Sequence, residues 1–439
     1  MNTYKETEFK DTEIGKIPHD WEVKELGELC KFQEGYVNPS QTNPNFFGDE
    51  IKWLRVNDLN DTFIYDTSRK LSKEGFKSAG KSAKLFEPES IAISKSGTIG
   101  KLGVLKDFMC GNRAIININP IDKNQTKYIL NFLKLIREEL KSKAVGSVQK
   151  NLYVSILEKV NIPLPPTIEE QKSIAKILSD LDSKIEMNKH INQTLEEMGK
   201  TLFKRWFVDF EFPNENGEEY KSNGGEMVFC EELGKEIPKG WRAGRLGELV
   251  KIQSGYAFKS KDFVKYSKSR LIKIKNISGG IVNLTDSGFI DDNSIQNLDS
   301  KFIIKEKDIL IAMTGAEIGK IGVVQKSNYK LLLNQRVGMF KQIFDYGLLY
   351  SYIVFNSNEY LKKIRDKAIG SAQPNISSTE IENISLLISN KNTLIEFEKI
   401  YSNFFNNYID NLNEIQYLQN TRDVLLPKLM RGEIRVKNE

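Results

Sequence analysis

Ile17 to Tyr36 reads IPHDWEVKELGELCKFQEGY, and Ile237 to Tyr256 reads IPKGWRAGRLGELVKIQSGY. At an offset of 220 residues, 11 of these 20 positions are identical, including Trp21 and Trp241 and the run LGEL. Further blocks repeat in the same order. WLRVNDL (53–59) matches LIKIKNI (271–277), SGTIGKLGV (96–104) matches TGAEIGKIGV (314–323), and AVGSVQKNL (144–152) matches AIGSAQPNI (368–376). The offset of these later blocks runs only from 218 to 224. Collinear blocks at a nearly constant offset identify a duplicated half of about 220 residues, not a short-period solenoid.

The whole chain has 439 residues, a length for roughly two to four domains. Hydrophobic residues make up 39% and charged residues 28%, a composition that builds cores and excludes global disorder. No apolar run approaches the roughly 18 residues of a membrane span, and the start MNTYKETEFK lacks the apolar region of a signal peptide. A soluble, cytoplasmic protein with no membrane partner is expected. Cys30, Cys110 and Cys230 lie far apart without a CxxC pair, which indicates neither a disulfide framework nor a zinc site. His19 and His190 are the only histidines and leave little room for histidine chemistry or a metal site. A net charge of +5 permits nucleic-acid binding without establishing it.

Each half opens with short Val/Ile/Phe runs such as IKWLRV, SIAIS and RAIININ, broken by Gly, Asn and Asp, with helical stretches such as YILNFLKLIREEL interspersed. Each then changes to a long helix with no Gly or Pro for dozens of residues. The expected class is α+β, with two pseudo-symmetric α/β domains joined by two long helices. The segments are 1–165 and 237–390 for the domains, 166–208 and 391–432 for the helices, and 209–236 for a connector. The connector holds nine acidic residues against two lysines, so it is expected at the surface, facing away from any phosphate backbone.

Both helices carry a heptad pattern. Ile174, Leu181, Asn188, Leu195 and Leu202 stand at one inner position of the first, with Ile177, Lys184, Ile191 and Met198 at the other. In the second, Leu394, Tyr401, Tyr408, Ile415 and Arg422 alternate with Phe397, Phe404, Asn411, Leu418 and Leu425. This repeat points to a coiled-coil seam. If the helices run antiparallel, Asn188 and Asn411 could meet and fix the register; packing of each helix on its own domain is the plainer alternative.

The glycine loops invite a nucleotide-binding reading that their lengths defeat. Gly315 to Lys320 falls one residue short of GxxxxGK[ST], Ile321 stands where a magnesium-binding hydroxyl belongs, and the first half is shorter still. A tight turn between two strands is expected instead. No [DN]PP[YF], HExxH, GxSxG or HxE…CxxC set occurs, so the chain reads as non-catalytic. Basic clusters do match between halves: Arg69, Lys70, Lys73, Lys77, Lys81 and Lys84 in the first, and Lys259, Lys261, Lys265, Lys268, Arg270, Lys273 and Lys275 in the second. Each cluster alone could be a solvated face; two in register suit a duplex partner. The GSxQxN blocks supply small, amide-bearing residues fit for phosphate and base edges, or a Gly-led turn capping a short helix.

Together the IPxxW…LGEL openings, the SGTIGK and TGAEIGK loops, the GSxQxN blocks, TLFKRWFVDF (201–210) and LLPKLMRGEIRV (425–436) resemble the specificity subunit of type I restriction–modification systems. The resemblance spans nearly the whole chain, twice. It implies two target-recognition domains, each reading half of a split double-stranded DNA target, and an antiparallel coiled coil that spaces them. It also implies docking of two methyltransferase subunits and association with restriction (translocase–nuclease) subunits. No cofactor is implied for this subunit; S-adenosylmethionine, ATP and Mg²⁺ belong to the partners. Candidate DNA contacts are Arg55, Lys101, Arg113, Ser147, Gln149 and Lys150 in the first half. Those in the second are Lys259, Lys273, Lys275, Lys320, Arg336, Ser371 and Gln373. Residues shared by both halves (Arg113/Arg336, Gln149/Gln373, Ser147/Ser371, Lys101/Lys320) suit backbone contacts, with sequence readout expected around 38–84 and 257–300. Two departures stand out. Pro163–Leu–Pro–Pro166 is replaced in the second half by Ser385–LLI–Ser389, and Lys150 by Pro374. A nucleotide-using enzyme and a bare coiled-coil scaffold are the competing readings.

Overall fold

A computed structural model describes residues 8–146, 150–368 and 374–436. The chain divides into two compact units: one holds the residues through Glu186 and those from Tyr417 onward, the other is the continuous segment Met187–Gln416.

The first unit is built on a five-stranded sheet in the order Cys30–Glu34, Ile115–Pro120, Ile91–Ser94, Leu102–Leu105, Phe63–Ile64. Neighbours are antiparallel except the last pair, where Phe63 lies beside Val104 in parallel. Ile91–Ser94 and Leu102–Leu105 are buried throughout, as continuous apolar runs covered on both faces should be. A smaller sheet centres on Phe47–Leu54, flanked by Lys70–Leu71 and Cys110–Gly111. Trp21 is fully buried at the start of the repeated opening block, whose strand Glu22–Glu25 pairs with Asn161–Leu164. The helix Thr126–Leu135 is anchored beneath that pair by the Tyr128 hydroxyl, which donates to the Pro163 carbonyl at 2.6 Å.

The second unit repeats this plan. Its main sheet runs Val250–Ser254, Val337–Gln342, Ile309–Ala312, Ile321–Val323, Gly280–Val282, Ile277–Ser278. A five-stranded sheet takes the place of the smaller one, with Ser269–Ile272 at its centre. Arg242–Arg245 pairs with Ser385–Ile388, and the Tyr350 hydroxyl donates to the Leu387 carbonyl. The missing prolines therefore change nothing in this arrangement, because both segments serve as the same edge strand. Their helices follow at Ile168–Phe207 and Lys391–Met430.

The helices are antiparallel within each unit. In the first, Ile174 and Leu178 pack in one core with Leu429 and Met430, and Asp182 accepts from Arg422 at 2.9 Å and Lys134 at 2.7 Å. In the second, Asn188 donates to Glu414 at 2.7 Å, Asn411 donates to Asn192 at 2.9 Å, and Trp206 packs on Phe397. Asn411 thus meets Asn192 rather than Asn188, which stands one turn away opposite Glu414.

One expected inner stripe is also corrected. Ile174, Leu181, Asn188 and Leu195 do face inward, but their companions are Leu178, Ile185, Asn192 and Gly199. Ile177 is partly buried against the unit's core, whereas Ile191 and Met198 are 38% and 45% exposed. Spacing of four then three selects the true stripe, and its polar or small members hid it. Gly199 is needed there, because a Cβ would stand 2.5 Å from Tyr401 Cε2. The second helix keeps its expected face: Phe397 and Tyr408 are buried, and Phe404, Asn411 and Leu418 are partly so.

Nor is the acidic connector simply a surface strand. Phe210 and Phe212 are buried, with Phe212 stacked 4.8 Å from the Trp241 ring and 4.6 Å from Tyr220. Aromatic burial at its start overrides its charge; residues 215–219 remain exposed.

Candidate nucleic-acid interface

In each unit the chain brings four loops to one end of the main sheet. Strands Cys30–Glu34 and Ile91–Ser94 run antiparallel to Ile115–Pro120, so their ends meet its beginning. Gly35 N donates to Ile115 O at 2.9 Å, Lys95 N to Ala114 O at 2.7 Å, Leu152 N to Lys95 O at 2.8 Å, and Asn112 N to Leu54 O at 3.1 Å. The second unit repeats the weave through Gly255 N to Val337 O at 3.2 Å, Met313 N to Arg336 O at 3.0 Å, Ile376 N to Met313 O at 3.0 Å, and Asn334 N to Ile272 O at 3.2 Å. The EGY and SGY blocks are glycine-dependent because a Cβ on Gly35 would lie 2.2 Å from Asn112 O, and on Gly255 2.3 Å from Asn334 O.

The glycine loops are hairpin turns between antiparallel strands, with Gly97, Gly100, Gly315 and Gly319 all at positive φ. Neither forms the strand-to-helix cradle of a nucleotide site.

This weave gathers Arg55, Lys101, Arg113 and Lys150 onto neighbouring loops in the first unit, and Lys273, Lys320 and Arg336 in the second. Arg113, Arg336 and Lys150 are exposed, and no ion pair holds them among the described residues. Tyr36 and Tyr256, 50% and 42% exposed, stand at the same place in each half. Sequence reasoning passed over them, although both close the quoted repeat. Lys101 is half-buried, and Lys320 is paired with Glu317, so that pair must open before Lys320 reaches a phosphate. Arg55 is already committed, donating to Ser68 Oγ at 2.7 Å and lying over the Trp53 ring. Lys273 sits 4.5 Å above the Phe263 ring, while Lys259 and Lys275 are exposed and unpaired among the described residues. Ser147, Gln149, Ser371 and Gln373 lie outside the described residues.

The basic clusters divide in two. Arg69 stacks 3.9 Å over Phe47, Lys70 pairs with Asp66 at 3.0 Å, and Lys73 with Glu50 at 3.6 Å. Arg270 is held between Phe289 and Tyr329 and donates to Leu284 O at 2.6 Å. These cations serve the fold, since tertiary structure supplies acids and rings that linear spacing does not show. Lys77, Lys81, Lys84, Lys261, Lys265 and Lys268 remain exposed and form no ion pair among the described residues.

The two interfaces differ in one buried feature. Lys95 pairs with Glu34 at 2.6 Å, both side chains at most 20% exposed, and the charge of Glu34 raises the pKa of Tyr36. Ser254 and Met313 stand at the corresponding positions of the second half. Among the described residues no group of His, Cys, Asp or Glu could hold a metal ion. Burial pushes the Cys30 and Cys110 thiols up to about 12, which keeps them protonated. No helix among the described residues is long and apolar enough to cross a membrane.

The type I restriction modification DNA specificity domain matches twice, over residues 18–197 and 238–420. The type I restriction enzyme MjaIX specificity subunit of Methanocaldococcus jannaschii is 32% identical across 98% of this chain and 98% of its own. The MjaVIII specificity subunit of the same organism is 29% identical across 100% of this chain and 98% of its own. A crystal structure of a type I restriction–modification S subunit from M. genitalium shares the fold, with a TM-score of 0.59 and 18% identity over 95% of this chain and 97% of that one. With the family's domain present in both halves and a relative aligned from end to end, this chain belongs to the type I restriction–modification DNA specificity family.

Proposed function

We propose that the chain is the sequence-reading subunit of a type I restriction–modification complex, with each unit contacting one half of a split DNA target through its loop cluster. The carrying observation is that the same four loops converge in both units and present an exposed arginine on the same loop, although the hydrogen-bond pattern corrects their expected equivalence: Arg336 takes the place of Ala114, and Arg113 that of Gln335. Exposed guanidinium groups beside exposed tyrosines suit phosphate and sugar contact at the edge of a groove. The lysines at 77, 81 and 84 and at 259, 261, 265 and 268 extend the positive surface where the halves diverge most in sequence. The shared cations position the duplex, and the divergent segments read it.

Methyltransferase subunits dock on the long helices and, with S-adenosylmethionine, perform the chemistry; restriction subunits join that complex and use ATP and Mg²⁺. A docking surface of suitable chemistry exists on the first helix, where Met187, Ile191 and Met198 are 56%, 38% and 45% exposed along one flank. Apolar side chains left out of the helix seam at helical spacing fit a second helix from a partner.

The test is a methylome. The chain is co-expressed with its neighbouring methyltransferase subunit in a host without a type I system, and modified adenines are mapped by single-molecule sequencing. A split motif with an unread gap is the expected result. Unmodified DNA, with the same methyltransferase active on another specificity subunit, overturns the reading.

A further inference from the structure

Within the second unit, Glu196, Tyr352, Tyr401, Phe404, Phe405 and Tyr408 line a small recess of about 20 Å³, room for one water-sized group. Tyr352 and Tyr401 are 6% and 8% exposed, and their hydroxyls, which make no hydrogen bond among the described residues, still reach solvent through the recess. The Tyr408 hydroxyl, in a side chain 9% exposed, is within reach of Glu196. Glu196 is itself exposed at the edge of the recess and forms no ion pair with any lysine or arginine among the described residues. Burial pushes all three tyrosine hydroxyls up, followed by the charge of Glu196 for Tyr352 and Tyr408 and by Tyr352 and then Glu196 for Tyr401, so all three stay protonated at neutral pH.

The duplication supplies an internal control. With the long helices aligned on their inner stripes, Tyr401, Tyr408 and Glu196 correspond to Leu178, Ile185 and Gln419. The partner helices, aligned on Tyr128 and Tyr350, set Tyr352 against Leu130. Helix packing in the first unit thus manages with aliphatic side chains and a neutral amide at these positions. Three hydroxyls and a carboxylate in the second unit exceed what packing requires.

We propose that this recess binds a primary ammonium group. An –NH₃⁺ head has three N–H donors and no acceptor, matching the Glu196 carboxylate and the unpartnered oxygens of Tyr352 and Tyr401. The aromatic lining adds attraction for a cation, and the volume admits a head the size of water while excluding a quaternary ammonium. The site is separate from the DNA-facing loops, so its failure would leave the proposed reading role untouched.

The experiment titrates the full-length chain with n-butylammonium chloride by calorimetry at constant ionic strength, with sodium and tetramethylammonium chlorides as controls. Saturable binding of n-butylammonium alone is expected, weakened about tenfold or more by Glu196→Gln, which removes a charge-assisted hydrogen bond. The Tyr352→Phe/Tyr401→Phe variant keeps the rings and should weaken binding severalfold, with circular dichroism checking the fold. Equal heats from tetramethylammonium, or binding unchanged in Glu196→Gln, overturns the proposal. Two further arms identify the natural source. Displacement of n-butylammonium by spermidine points to a free polyamine. A methyltransferase lysine shielded from amine-reactive labelling in the wild-type complex, and unshielded with Glu196→Gln, points to a protein side chain. Failure of both arms would overturn a physiological ammonium site.

Discussion

Replacing Arg435 with Ala should loosen the first unit. The guanidinium donates to both Asp20 oxygens at 2.9 Å and to Glu170 at 2.8 and 3.1 Å, and it lies beside the Trp21 ring. The two acids differ in what the substitution does to them. Asp20 is 50% exposed, so water takes over and its share is about 0–1 kcal/mol. Glu170 is 7% exposed and would keep a buried charge with its main cation gone, which costs about 2–3 kcal/mol. The expected loss is therefore about 2–4 kcal/mol, read as faster amide hydrogen exchange across the first unit's sheet. A second substitution isolates the cause. Glu170→Gln removes the stranded charge, so Arg435→Ala/Glu170→Gln should be more stable than Arg435→Ala alone. A loss below about 0.5 kcal/mol, or a double variant no better than the single, would refute the reasoning. The acid limb adds a check. Arg435 holds the Asp20 carboxyl below its usual range, so that stabilisation is present above the unfolded value near pH 3.9 and fades as pH falls through the lower folded value. The Arg435→Ala variant should lose this dependence.

Other outcomes are as specific. Arg113→Ala and Arg336→Ala should each weaken binding to all duplexes and shallow the salt dependence by about one unit for each phosphate no longer neutralised, read by titration at several salt concentrations; a changed base preference with unchanged non-specific affinity would contradict positioning. Gln149→Ala or Gln373→Ala is expected to behave likewise. Ile191→Glu with Met198→Glu should abolish co-elution with the methyltransferase subunit while leaving the melting temperature within a few degrees, since both side chains already face solvent. Gly199→Leu should destabilise the second unit by about 1–3 kcal/mol in urea unfolding, because the side chain must displace the Tyr401 ring.

The duplication was legible because Trp21 and Trp241 are each buried in a core, and the glycines at 35 and 255 stand where a Cβ would clash with backbone. The helix seam was half legible. Aliphatic positions such as Ile174 announced themselves, while Asn192 and Gly199 face inward for reasons of hydrogen bonding and clearance that hydropathy does not encode. Among the cations, charge alone could not separate Arg270, held between two rings, from Lys268 beside it in open solvent. That distinction depends on residues such as Phe289 and Tyr329, brought in from distant strands.

The division of the chain has a consequence for its synthesis. The second unit is one uninterrupted segment, Met187–Gln416, and every residue of its core has been joined to the chain before Leu429, Met430 and Arg435 are added. The first unit, begun earlier, waits for Leu429 and Met430 to fill its core and for Arg435 to reach Asp20. The half translated first is therefore completed last, and a message cut short just past residue 416 would yield an intact second unit beside an open first one.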